Sequence, residues 1–190
     1  MHTFFALIDR LNAHPELKEQ LEAQIWQNYG FNKAVLALDM SGFSLTVRRQ
    51  GIIAYLAKIR KMQHCTQPLI TQYQGELVKY SADNLMAIFD DCQQALLAAI
   101  TISQQCQQQD TPVSIGLDFG RILLIPQQDC YGDAVNIAYK LGEDIADKNE
   151  VLISETFYQQ LQKPNIFELE AQDIHISGLA FKAYTVKLRQ

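Results

Sequence analysis

The chain has 190 residues, of which 48% are apolar and 19% are charged, and its formal net charge is −5. This length suits one domain with an appendage and a sizeable core, and the negative balance argues against a general affinity for nucleic acid or anionic membranes. No stretch approaches the ~20 apolar residues needed to cross a bilayer, and residues 1–11 lack the basic start of a signal peptide. We therefore expect a cytoplasmic protein without a nucleic-acid or membrane partner.

The cysteines predict neither a metal site nor a disulfide framework. They lie far apart and no two are spaced as a Cys-x-x-Cys pair: Cys65, Cys92, Cys106 and Cys130. Since zinc sites and disulfide-rich domains use characteristic close spacings, we expect four reduced thiols.

Residues 1–30 are predicted to be a helical segment that precedes a main domain over residues 31–190. Apolar residues recur at helical spacing on both sides of Pro15, which suits a first helical position, and Gly30 ends the pattern. The segment contains two phenylalanines and a tryptophan, and we expect these large apolar side chains to be buried against another surface. The segment therefore either folds back onto the domain or binds a second copy or a regulatory partner.

The first strand is predicted from the apolar run Ala34 to Leu38, and it ends in a single acid, Asp39. A carboxylate at the tip of a buried strand is costly to desolvate unless a cation or hydrogen-bond donors meet it. Two interpretations follow: Asp39 caps the helix that comes next, or it binds a cation.

The remainder of the chain predicts alternating helices and strands. Residues 46–73 predict one long helix or two consecutive helices, broken near Pro68. Residues 76–81 and 85–89 predict a hairpin with Asp83 at or beside its tip. Further elements are expected as a helix over 91–109, two strands within 112–125 that turn at 119–121, a helix over 132–146, a strand over 151–153, a helix over 154–161, and strands over 166–176 and 181–188. This alternation predicts an α/β sandwich, with helices packed on a ferredoxin-like mixed, mainly antiparallel sheet.

The acids Asp39 and Asp83 would meet at one edge of the sheet if their strands are neighbours, as sequential strands commonly are. Hard divalent ions that act on phosphates are held by one or two carboxylates, waters and the substrate's oxygens. Residues 40–44 add backbone N–H groups at the start of a helix, where anions bind readily. The pattern predicts a metal-and-phosphate site, with two unrelated turn aspartates as the alternative.

Four segments in order resemble motifs of the class III nucleotidyl cyclase catalytic domain, over roughly residues 33–188. Leu38–Phe43 resembles the first metal motif, Asp-x-x-Gly-Phe, and Lys79–Asp83 resembles the second, Lys-x-x-Gly-Asp. Asp129–Gly132 and Val135–Lys140 together resemble Asp-x-x-Gly-x-x-Val-Asn-x-Ala-x-Arg. Each motif alone is weak, whereas four in order at compatible separations are specific.

The resemblance implies roles for particular residues. Two Mg²⁺ or Mn²⁺ ions would be held by Asp39 and Asp83 with the backbone carbonyl of Met40, and Asn136 would orient the ribose and the reacting phosphate. Lys140 stands at the position of an arginine that stabilises the transferring phosphate. The start of the following helix would bind the nucleotide through Ser41, Gly42, Phe43 and Ser44.

The resemblance also implies a substrate and an assembly. Adenine presents an acceptor at N1 and an amino donor at N6, which a lysine and an aspartate can recognise, and Lys79 and Asp129 stand at the family's base-selecting positions. ATP is therefore the expected substrate, with Lys79 as an ordinary solvated lysine as the alternative. Since the family builds each site from two subunits, we expect a homodimer with sites at its interface.

Three departures from the family pattern leave other functions open. Lys140 lacks the planar fork of arginine, Ser81-Ala82 replaces the usual Ile-Gly before the second acid, and Ser177 stands where a late phosphate-binding lysine is usual, with Lys182 as a candidate substitute. A catalytically weak or silent nucleotide-binding module, or a cyclase for another nucleotide, is the alternative. The Gly-Gly-Asp/Glu-Glu-Phe hairpin of diguanylate cyclases does not occur in the sequence.

Overall fold

A computed structural model describes residues 3–162, 167–176 and 178–188, without the side chains of residues 43–46, 179 and 188. Its strands form one mixed sheet in the order β2-β3-β1-β4-β6-β8-β7, with β5 paired to β4. The strands are β1 (Gly30–Met40), β2 (Glu76–Ser81), β3 (Asn84–Phe89), β4 (Val113–Ile125), β5 (Asp129–Tyr131), β6 (Val151–Ser154), β7 (Phe167–Ile176) and β8 (Leu179–Leu188). The helices are α1 (Phe4–Ala13), α2 (Lys18–Tyr29), α3 (Phe43–Gln50), α4 (Ile52–Gln72), α5 (Cys92–Gln108), α6 (Asp133–Tyr139) and α7 (Glu155–Tyr158). A π-helical turn, Lys140–Ile145, continues α6.

The predicted mixed, mainly antiparallel sheet is confirmed. The central strand β1 pairs antiparallel with both β3 and β4, and β4 and β6 run parallel. Because β1 is covered on both faces, it appears in the sequence as a continuous apolar run.

Two cores lie on opposite faces of this sheet. Leu36 and Leu38 of β1 belong to the larger core, beneath α4 and α5, whereas Val35 and Ala37 face a smaller core that includes α6. This division follows from the two-residue period of a strand. By the same alternation Asp39 lies on the side of the smaller core.

The N-terminal segment is helical, as predicted, and it folds onto the domain. Phe4 of α1 and Ile25 of α2 form a buried cluster with Ile125 at the end of β4. Phe5 stays 52% exposed. The apolar stripe of this segment is therefore used mainly to attach it to β4.

The hairpin predicted within residues 112–125 is absent from the structure, which describes these residues. Residues 113–125 form one strand rather than a hairpin, because β1 is long enough to pair along it: Phe119 lies opposite Ala34, and Arg121 opposite Asn32. The prediction of a turn at residues 119–121 is therefore wrong, and Gly120 lies within the strand. The short strand β5, which pairs with the end of β4, was not predicted.

The break within residues 46–73 was predicted at the wrong residue. Gly51 separates α3 from α4 with a φ of +84°, a conformation that favours glycine. Pro68 lies inside α4, on its exposed side, where water can solvate the carbonyl that its missing N–H leaves free. The helix after Ser154 is also shorter than predicted, although Ser154 caps it by accepting a hydrogen bond from the backbone N–H of Phe157, 3.0 Å away.

All four cysteines are free and buried, in agreement with the prediction of reduced thiols. No helix within the described ranges is long and apolar enough to span a membrane.

Candidate active site

Asp39 is the penultimate residue of β1, where it lies between Asn84 of β3 and Ser114 of β4. Burial, then the neighbouring carboxylates of Asp83 and Glu143, raise the pKa of Asp39 to about 6, against the opposing effect of a backbone hydrogen bond at Met40. The larger effects all disfavour a negative charge on Asp39. This site therefore holds more negative charge than its surroundings compensate.

Asp83 lies in the two-residue turn between β2 and β3, directly beside Asn84. The hydroxyl of Tyr55 donates a hydrogen bond to Oδ2 of Asp83, at 2.8 Å. Tyr55 belongs to α4 and is 1% exposed, so its ring is fixed in the larger core. A buried residue from a distant helix thus orients the predicted second metal ligand.

Glu143 is a third acid in this region and comes from the π-helical turn after α6. Asn84 donates a hydrogen bond to its carboxylate, and burial, Asp144 and Asp83 raise its pKa. The turn can approach the sheet closely because Gly116 of β4 carries no side chain: a Cβ there would lie 2.4 Å from the backbone nitrogen of Gly142 in the turn. π-Helical turns occur frequently at functional sites.

The residues around Asp39 fit a divalent cation that shares its coordination with a substrate. Among the described residues, no three acidic, histidine or cysteine side chains are grouped so as to hold a metal by themselves. Mg²⁺ is usually bound by one or two carboxylates together with water and substrate phosphates. Asp39, Asp83 and the carbonyl of Met40 match that donor set, and a cation would relieve the excess negative charge.

The predicted phosphate-binding segment lies at the start of α3. Gly42 is the N-cap of this helix, with a φ of +93°, and Ser41 donates its backbone N–H to the carbonyl of Pro112, 3.0 Å away. The backbone of Phe43 and Ser44 forms the first turn of α3, whereas their side chains lie outside the described residues. This places helix N–H groups within a few residues of Asp39, as the sequence predicted.

Lys79 of β2 and Asp129 of β5 are separated by 50 residues, yet Lys79 Nζ lies 2.7 Å from Asp129 Oδ2. The backbone N–H of Cys130 also donates to Asp129, at 2.9 Å. Both side chains are about one-third exposed or less, at 34% and 26%. The ion pair therefore holds one donor and one acceptor side by side where a ligand can still reach them.

Asn136 and Lys140 are four residues apart at the end of α6, so they lie on the same side of the helix. Asn136 is exposed and Lys140 half-buried. Neither makes a side-chain hydrogen bond or ion pair within the part of the chain that is described. The structure thus gives two polar side chains that are available to another molecule.

The departures from the family motifs have structural counterparts. Ala82 adopts a φ of +53°, so it occupies a left-handed conformation that the family's glycine reaches without strain. Ser177 lies outside the described residues. Lys182 is on β8 opposite Asp173, and it lines a cavity with Asp118 and Asp133.

Two contributors to this region were not found from the sequence. Tyr55 reaches Asp83 from α4, and Glu143 reaches Asn84 from the π-helical turn. Neither residue belongs to a local motif that marks it as part of a site. Only the packing of α4 and of the π-helical turn against the sheet brings them there.

Comparisons with known proteins bear on the fold of this chain. No family model matches the chain. A protein of Rhizobium meliloti (strain 1021), provisionally named adenylate cyclase 3, is 25% identical over 134 residues, which is 66% of this chain and 22% of that protein. The chain thus spans about a fifth of the length of this curated relative.

Solved structures show the fold more completely. An adenylate/guanylate cyclase/hydrolase from Silicibacter pomeroyi is 26% identical, with a TM-score of 0.73 over 83% of this chain and 96% of that one. The guanylate cyclase domain of Catenaria anguillulae in complex with GTP is 19% identical, with a TM-score of 0.74 over 84% of this chain and 97% of that one. The resemblance to the class III cyclase catalytic domain is thereby confirmed, and adenylate and guanylate enzymes both appear among the similar proteins.

Proposed function

Because this chain has the fold of the class III nucleotidyl cyclase catalytic domain, we propose that it is an adenylate cyclase, which converts ATP to cyclic AMP and pyrophosphate in the cytoplasm. The observation that favours ATP is the 2.7 Å ion pair between Lys79 and Asp129. Lys79 can donate to N1 of adenine, and Asp129 can accept from its N6 amino group. Guanine has a donor at N1 and a carbonyl acceptor at position 6. Its N1 donor would therefore face the Lys79 ammonium, and its carbonyl would face the Asp129 carboxylate, so neither pair could form a hydrogen bond.

The reaction forms a bond between the ribose 3′-oxygen and the α-phosphorus. The bond from that phosphorus to the oxygen of the departing pyrophosphate breaks, and the hydroxyl proton passes to solvent water. When bound, two Mg²⁺ or Mn²⁺ ions lower the pKa of the attacking hydroxyl and neutralise the negative charge on the leaving oxygens. Asp39, Asp83 and the carbonyl of Met40 would hold these ions.

The remaining groups of the chain would bind and orient the substrate. The N–H groups at the start of α3, from Ser41 to Ser44, suit the triphosphate. Asn136 would hydrogen-bond the ribose, and the ammonium of Lys140 would stabilise negative charge on the transferring phosphate. As a point charge, Lys140 gives less geometric control than the family's arginine.

We place each complete site between two copies of the chain. The proposal is supported by Asn136 and Lys140, whose side chains stay available to another molecule. In a twofold dimer, Asp39 and Asp83 of one copy would meet Asn136, Lys140 and the Lys79–Asp129 pair of the other. Two identical sites would result.

The substrate is tested by measuring product formation from ATP, GTP, CTP and UTP in parallel, with Mn²⁺ and purified protein. We expect cyclic AMP as the main product. The Lys79→Glu variant is the matched comparison: two adjacent carboxylates can no longer donate to N1 of adenine, so ATP turnover should fall. Faster turnover of another nucleotide by the natural protein would exclude the adenylate assignment.

A second candidate function is a nucleotide-binding regulator without turnover, which would act with a partner through the N-terminal helices. It is favoured by Lys140 in place of arginine and by the left-handed Ala82 beside Asp83. Calorimetry with ATP and Mg²⁺ separates the candidates. Binding without cyclic product supports the regulator, whereas turnover refutes it.

A further inference from the structure

The N-terminal helices contact the strand that carries one residue of the base-selecting pair. The ring of Phe4 in α1 stacks on the ring of Tyr131 in β5, with centroids 6.0 Å apart and planes within 9°. Phe4 is 7% exposed, and its ring also makes an edge-on contact with the ring of Tyr29 in α2, with centroids 5.1 Å apart. Phe4 is therefore fixed between α2 and β5.

The strand β5 needs such support because its own pairing is short. It has three residues, and its ladder with β4 consists of three residue pairs. Asp129 and Tyr131 are two residues apart in this strand, so their side chains lie on the same face. A contact to the ring of Tyr131 therefore acts on the face that presents Asp129.

A second contact fixes the same helices to β4. The guanidinium of Arg121 lies 4.0 Å from the ring centroid of Trp26 in α2. Ile125, opposite Asp129 in the β4–β5 ladder, is buried in one cluster with Phe4 and Ile25. Helices α1 and α2 thus hold the β4 end and the β5 strand together as one packed unit.

From these contacts we infer that the N-terminal helices position Asp129 for base recognition, with Phe4 and Tyr131 as the positioning residues. Lys79 of β2 forms an ion pair with the side chain of Asp129 at the start of β5. The stack of Phe4 on Tyr131 fixes the opposite end of the same strand. Displacing α1 would loosen the acceptor for the adenine amino group while leaving Asp39 and Asp83 in place. The inference rests on the proposed function for the identity of this base site, and it gives the N-terminal segment a role in affinity and selectivity rather than in the chemical step.

The kinetic test uses the full chain and the variant Tyr131→Ala. Loss of an aromatic pair changes an equilibrium by roughly two- to tenfold, so we expect KM for ATP to rise by that factor, the preference for ATP over GTP to fall, and kcat to change less. Tyr131→Phe keeps the ring and should behave as the natural protein. Phe31→Ala is the matched control, since Phe31 is equally exposed, at 44% against 42%, and its ring contact is with Lys33.

A second measurement does not depend on activity. Cys130, between Asp129 and Tyr131, is 2% exposed, and its thiol should resist alkylation while β5 is held. We expect Tyr131→Ala to speed alkylation of Cys130, read by peptide mass spectrometry, and Phe31→Ala not to. If the natural protein shows no turnover, its ATP affinity is measured by calorimetry in place of KM. If the natural protein neither binds nor converts ATP, the proposed function is refuted. The alkylation rate of Cys130 would in that case still report whether Tyr131 holds β5 in position. Unchanged Cys130 labelling and unchanged ATP affinity or KM in Tyr131→Ala would overturn the inference.

Discussion

At the scale of single residues, Asp39 combines a cost in stability with a proposed use. Its pKa is raised from 3.8 to about 6, first by burial and then by Asp83 and Glu143. A carboxyl group with a raised pKa binds more protons in the folded than in the unfolded protein between those values, so the folded state loses stability as pH rises from about 4 to 6. Above that range the ionised side chain remains unfavourable until a cation meets it.

Asp39→Asn should therefore separate stability from activity. At pH 8 with a chelator present, we expect the variant to unfold at a higher temperature than the natural protein, because the buried charge is gone, while its cyclase activity is lost. Adding Mn²⁺ should raise the unfolding temperature of the natural protein and not that of the variant. A lower unfolding temperature for the variant at pH 8 would contradict the assignment of uncompensated charge.

Tyr55 gives a second prediction because its hydroxyl donates to Asp83 over 2.8 Å. Removing that hydroxyl in Tyr55→Phe keeps the buried ring but leaves the carboxylate less well oriented. Groups that orient a metal ligand affect metal affinity by about tenfold or more. We expect half-maximal activity to need about tenfold more Mn²⁺; an unchanged Mn²⁺ dependence would show that Asp83 is not oriented by Tyr55.

Asp118 gives a prediction on pH and stability away from the metal ligands. It is 5% exposed, accepts a hydrogen bond from the Ser154 hydroxyl, and has a pKa raised to about 6 by burial. Its ionisation should reduce stability as pH rises from about 4 to 6, by an amount on the order of 3 kcal/mol. Asp118→Asn keeps an acceptor for Ser154, so it should be more stable at pH 8 and show a flatter pH profile in urea unfolding. Equal stabilities at pH 8 would rule out a buried charge at this position.

At the scale of elements, the hairpin between β2 and β3 contains a strained residue beside the proposed metal ligand Asp83. Ala82 has a φ of +53°, which costs about 1 kcal/mol or more for a residue with a Cβ. Ala82→Gly should be neutral to stabilising by about 1 kcal/mol in urea unfolding, and cyclase activity should be kept or raised. In contrast, the control Ala57→Gly, at an exposed position of α4, should destabilise by about 1 kcal/mol. Equal losses in both variants would argue against strain at Ala82.

The sequence predicted those elements whose signals are local. The β2–β3 hairpin and the helix that begins after Ser154 both rest on residues within a few positions of each other. The single strand β4 could not be predicted in this way, because it is the length of β1 that continues the pairing through Gly120. The pairing of β5 with β4 likewise depends on the course of the chain.

The same distinction applies to the candidate site. Asp39 and Asp83 could be predicted from their positions at the ends of strands, and the structure brings them close enough for Asp83 to raise the pKa of Asp39. Tyr55 and Glu143 could not, since they reach the site through the packing of α4 and the π-helical turn. Residues that orient or balance a site have weaker sequence signals than residues that follow a strand.

At the scale of the whole molecule, one copy presents two groups of residues with proposed roles. One contains Asp39, Asp83 and the start of α3, and the other contains the Lys79–Asp129 pair with Asn136 and Lys140. The proposed function requires the first group of one copy to act with the second group of another. Two-fold symmetry would make two such sites in a dimer.

Mixing two inactive variants tests this requirement most directly. Asp39→Ala damages the first group and Asn136→Ala the second, so each variant alone should convert ATP to cyclic AMP at a small fraction of the natural rate with Mn²⁺. After co-refolding in equal amounts, half of the dimers would be mixed and each would keep one intact site, which predicts recovery of about one-quarter of the natural activity. Activity in the natural protein without any recovery in the mixture would contradict a site shared between two copies, and no cyclic AMP from the natural protein would contradict the cyclase assignment itself.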